Sequence, residues 1–84
     1  MTHELKIIKE YADAVNAGIM TFQIRKNDRT YSVGDHIRFE VINERGKTIS
    51  HKLANKTFEI TYILNRFGVA IAPNHIVFAI REVT

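Results

Sequence analysis

Hydrophobic positions along the 84-residue chain change period several times, and each change marks an element. Leu5 and Ile7 stand at strand spacing within a short opening segment, Thr2 to Ile7. Ile8, Tyr11, Ala12 and Val15 then recur at steps of three and four, with Lys9, Glu10, Asp13 and Asn16 between them. That is one apolar stripe on a helix. The helix should end at Asn16 or Ala17, because Gly18 follows where a helix usually turns left-handed. From Met20 the period becomes two: Phe22 and Ile24 share one face, and Thr21, Gln23 and Arg25 share the other. Lys26 to Thr30 reads as a loop, and Val33-Gly34-Asp35 as a turn into the next strand.

That next strand, His36 to Ile42, puts Ile37, Phe39 and Val41 inward and His36, Arg38 and Glu40 outward. Asn43 to Lys47 is a hairpin turn. Thr48 to Lys56 has no clear period and reads as a loop or a short strand near Ile49. The strongest strand signal follows, with Phe58, Ile60, Tyr62 and Leu64 alternating with Glu59, Thr61 and Ile63. Phe67-Gly68 closes it, and a softer apolar run, Val69 to Ala72, precedes Pro73-Asn74. A last strand, Ile76 to Val83, has Ile76, Phe78 and Ile80 on one face. One early helix and five to six short strands predict an α+β, mainly β chain: a small barrel with the helix packed beside an open end.

Composition narrows this further. Eighty-four residues allow one domain, residues 1–84, and 45% apolar with 25% charged residues is a globular profile. There is no cysteine, which excludes both a disulfide framework and a cysteine zinc site. No apolar run reaches the roughly 20 residues of a membrane span. Met1 to Lys6 also lacks the plan of a secretory leader, so the cytoplasm is the expected location. The net charge of +3 permits an anionic partner without requiring one.

The densest candidate chemistry is Arg25-Lys26-Asn27-Asp28-Arg29, just after a strand. Arg and Lys grip phosphate, and Asn and Asp match the donor and acceptor edges of a base. The competing reading is a solvated turn whose charges pair among themselves. Gln23 and Arg25 share a face that either points into a cleft or is an ordinary exposed face. Arg38 extends the same surface or pairs across it, and in the opening segment Lys6 and His3 either reach the cleft mouth or, for a lone terminal His, stand structural or idle. Tyr31, Tyr62 and Phe67 are candidates for base stacking. Tyr62, in phase with Phe58 and Ile60, fits a core position with its hydroxyl at the rim. His36, His51 and His75 have no ligand spacing, so no metal is expected, and no motif implies a cofactor.

The run Ala17-Gly18-Ile19-Met20-Thr21-Phe22-Gln23-Ile24-Arg25-Lys26 resembles the G-x-K-x-x-E-x-R signature of ASCH domains, within the PUA-like superfamily. The wider pattern is closer to a short bacterial and phage subgroup, domain of unknown function 3850. Its shared features are His3-Glu4-Leu5-Lys6, Tyr11-Ala12-Asp13-Ala14-Val15, Ile24 to Arg29, Val33-Gly34-Asp35 and Ile60 to Leu64. The resemblance implies a compact barrel with a cleft beside the helix that binds RNA or a nucleotide. In one branch it implies hydrolysis of an acyl group from acetylated cytidine. That branch uses the motif Lys as base and a Thr as nucleophile, at the positions held here by Met20 and Gln23. A thioether takes no proton and an amide is no nucleophile, which argues against an enzyme. Glu59 is the acid that survives on the strong strand. A protein-interaction role, of phage or mobile-element type, is the third alternative.

Overall fold

The computed structural model describes residues 1–64 and 74–84. Strand β1, Thr2–Ile8, buries His3, Leu5 and Ile7 on alternate positions. Helix α1, Lys9–Asn16, follows without a break and ends at Ala17, ahead of Gly18 at φ 75°. Only Ala12 and Val15 of its apolar stripe are buried; Ile8 and Tyr11 stay exposed. Strands β2, Phe22–Lys26, and β3, His36–Ile42, come next, and the turn between them needs Gly34 at φ 96°. Gly34 N–H donates to the Ile60 carbonyl and Ile60 N–H to the Asp35 carbonyl, each at 2.8 Å, so this turn is stitched to the sheet. A side chain at Gly34 meets nothing; the cost of replacing it is conformational.

Thr48 to Lys56 resolves as a single bridge from Thr48 to Ile42 and a short 3-10 helix, Lys52–Asn55. Leu53 of that turn is wholly buried. His51 caps it, accepting the Leu53 N–H at Nδ1 (3.0 Å), and its Nε2 meets Asp13 of α1 at 2.7 Å. Because Nδ1 accepts, Nε2 carries the proton given to Asp13.

Strands β4, Thr57–Leu64, and β5, His75–Val83, complete one five-stranded sheet in the order β1-β3-β4-β5-β2. β1 runs parallel to β3, and every other pair is antiparallel. The expected small barrel is a curled half-barrel. Its open seam lies between edge strands β1 and β2. The curl brings those edges within reach of one side chain, since Arg25 on β2 bonds the Lys6 carbonyl on β1. The core lies inside the curl, from Leu5, Ile37, Phe39 and Val41 across Phe58 and Ile60 to Ile76 and Phe78.

One expectation fails on β4. The pairing with β5 shifts between Ile60 and Tyr62, and this bulge leaves Thr61 as the extra residue. The phase inverts after it: Ile63 packs on the core, and Tyr62 is 66% exposed rather than part of it. Phe67-Gly68, the run Val69 to Ala72 and Pro73 lie outside the described residues.

Candidate functional site

β2 carries the site because its burial runs opposite to hydropathy. Gln23 is 2% exposed, while Phe22 and Ile24 face outward. The ordinary exposed face for Gln23 and Arg25 is therefore ruled out. A buried amide must spend its polar atoms, and Gln23 does. Its Nε2 donates to the Phe22 carbonyl (3.1 Å), and its Oε1 accepts from Arg25 Nε (3.1 Å) and Nη2 (2.7 Å). Arg25 Nη1 donates to the Lys6 carbonyl at 2.8 Å. Three of the five guanidinium N–H groups are thus committed. One on Nη1 and one on Nη2 remain without an acceptor among the described residues.

Burial pushes the Arg25 guanidinium down from its ordinary value; nearby Tyr31 opposes this, and nearby Arg29 adds to it. An arginine so placed stays charged. The result is a cation in a fixed orientation, clamped by one side chain and one backbone carbonyl.

Two hollows meet at this clamp. The larger, about 600 Å³, lies between the start of α1 and β2 and is mostly apolar, lined by Ile8, Tyr11, Met20, Phe22 and Ile24. The smaller, about 280 Å³, is charged, with Lys26, Arg29, Glu4 and Asp28 beside Tyr31. Lys6 and Arg25 border both. Loop 27–30 is anchored by Asn27 N–H, which donates to the Asn74 carbonyl at 2.6 Å. Arg29 sits 3.7 Å from Asp28 and 5.9 Å from the centre of the Tyr31 ring. Tyr31 itself packs between His3 (4.7 Å) and Phe78 (5.0 Å), and burial raises its hydroxyl above the ordinary value.

The structure thus brings together Lys6, Gln23, Arg25, Lys26, Asp28, Arg29 and Tyr31, with Asn27 as the anchor of their loop. Arg38 is elsewhere: it donates to Thr57 Oγ1 (3.2 Å) and the Ala54 carbonyl (3.0 Å), and it borders neither hollow. Tyr62 also borders neither. Glu59 pairs with Arg81 at 3.0 Å, away from the seam. His3, buried, bonds Asp35 at 2.8 Å and is structural. Sequence reasoning missed Ile8, Tyr11, Phe22 and Ile24 as groove walls. The usable signal was an apolar residue on both sides of Gln23 and Arg25, a strand whose polar face had reason to turn in.

Among the described residues no group of His, Cys, Asp or Glu is disposed to hold a metal, and no helix is long and apolar enough to cross a membrane. Fold and site together define a small, mainly β half-barrel whose seam is bridged by a buried Gln–Arg pair. The chain belongs to the family described as Domain of unknown function (DUF3850), which matches residues 2–80. A search of curated proteins returns no match.

Proposed function

We propose that the chain is a cytoplasmic RNA- or nucleotide-binding module of ASCH, PUA-like type, acting as one domain through the seam between β1 and β2. The observation that carries this is Arg25, held rigid with two N–H groups to spare where an apolar groove meets a basic hollow. A nucleotide has the matching halves. Its base suits the groove beside Tyr11 and Phe22, and its phosphate suits Arg25 with Lys26 and Arg29. A hollow of about 600 Å³ falls within the usual range for small-ligand sites. The resemblance to ASCH domains supports the same reading by analogy.

The hydrolytic alternative has less support. Met20 lines the groove where that branch carries its base, and Gln23 is spent on Arg25. The test is an amide NMR titration with short single-stranded RNA, then cytidine and acetylated cytidine. Shifts should cluster at Lys6, Tyr11 and Gln23 to Arg29, and should vanish in Arg25→Ala. Product peaks from acetylated cytidine would establish hydrolysis instead. No movement in that segment with any ligand would sink the proposal.

A further inference from the structure

The outer faces of the two halves of the sheet differ in kind. On the β1–β3 half, register sets Glu4 beside Arg38 and Lys6 beside Glu40. Charged residues of both signs thus stand side by side there, as on a solvated sheet face. On the β4–β5–β2 half, the β4 bulge and the inverted β2 place two apolar rows side by side. Tyr62, Ala79 and Phe22 form one row, and Leu64, Val77 and Ile24 the next. Four of them are well exposed: Tyr62 at 66%, Ile24 at 58%, Phe22 at 42% and Leu64 at 38%. No charge interrupts the two rows. The Lys26–His75 register pair bounds them at one end and the Glu59–Arg81 ion pair at the other.

We infer that this face is the interface with a second copy of the chain. The apolar side chain it exposes is on the order of 400 Å², as large as the patches that mark interaction sites on monomers. That is about half of the roughly 800 Å² each partner buries in a stable dimer, with the polar rim to supply the rest. Charge also permits a copy of the same chain. A two-fold axis across the strands lays the Lys26 end of one copy toward the Glu59–Arg81 end of the other, so cations meet a mixed rim rather than each other. A nucleic acid would instead need basic groups along the rows, and these stand only at the ends. Phe22 and Ile24 also line the larger hollow of the seam, so a dimer and a ligand would compete there. Tyr62 and Leu64 border neither hollow and report on this face alone.

Sedimentation of the full chain over a wide concentration range should show a species of twice 9.7 kDa. Leu64→Glu, which buries a charge on association, should weaken dimerisation about 100-fold. Circular dichroism should show its fold intact. A wild-type chain that stays monomeric at every concentration overturns the inference, and so does a dimer indifferent to Leu64→Glu. A monomer whose Tyr62 and Leu64 amides move with RNA overturns it in favour of a stacking platform. If Leu64→Glu unfolds, Tyr62→Glu decides, since Tyr62 is 66% exposed and its replacement leaves the core untouched. A dimer as tight as that of the wild type would then overturn the inference.

Discussion

Gln23 is the residue on which the seam depends. A buried glutamine whose carbonyl takes two bonds from one guanidinium fixes that cation as a carboxylate would, without adding a negative charge that would repel an anion. Gln23→Ala should cost about 2 kcal/mol, because it leaves Arg25 half-buried with one acceptor and opens a small void. Urea denaturation checks this, and Arg25→Ala should then cost less in the Gln23→Ala background than in the wild type. Asp35 offers a second test. Its hydrogen bond with His3 holds the carboxyl below its ordinary value; partial burial opposes this, and Ser32 N–H and the terminal ammonium assist it. A folded pKa below the unfolded one gives stability that is complete above the unfolded value, about 3.9, and is lost as pH falls through the folded value. Asp35→Asn should therefore be less stable than wild type near neutrality, with the gap closing below about pH 4. Urea midpoints across that range would show it, and a gap constant with pH would refute it. Asp13, lowered by its bonds to His51 and Lys9, keeps part of the acid slope in both proteins.

At the scale of elements, legibility followed regularity. β3 and β5 alternate without interruption, and the inward residues read from that alternation are the buried ones. β4 alternates just as cleanly in sequence, yet its phase breaks after Ile60 because Thr61 is absorbed in a bulge that no period reveals. Tyr62 was placed in the core for that reason. The 3-10 turn was illegible because one apolar residue, Leu53, among polar neighbours has no period at all. Of the site, Gln23, Arg25 and the following loop could be read from charge and spacing. The groove walls could not, since an apolar residue in a strand is ordinarily read as core. Two readings were open for Arg38; its bonds to Thr57 and Ala54, away from both hollows, could not be foreseen because Ala54 lies in a segment without pattern. Leu53 carries more weight than so short an element suggests. It is wholly buried where the 3-10 turn meets α1 and β3. Leu53→Ala should cost about 3 kcal/mol, measured by thermal or urea unfolding, and an effect near zero would mean the turn merely rests on the core.

For the molecule as a whole, position of charge matters more than its sum. The net +3 is modest, but Lys6, Arg25, Lys26 and Arg29 are four of the chain's 12 Lys and Arg residues, and all border one hollow. Glu4 and Asp28 share it, and Asp28 offsets Arg29. The seam is thus locally positive without being a uniform basic face, which suits a ligand of one or two phosphates more than a long duplex. Counterion release converts this into a slope: log affinity falls against log salt by about 0.7 for each phosphate neutralised on a single strand. Lys26 is exposed and lies beyond the Gln23–Arg25 clamp, so Lys26→Ala should leave stability nearly unchanged and flatten the slope by about 0.7. Removing Arg29 should flatten it less, because its cation is already partly matched by Asp28. Titrations of a short RNA at several salt concentrations separate these cases. Equal slopes in wild type and Lys26→Ala would mean that the phosphates do not pass the seam, even if RNA binds.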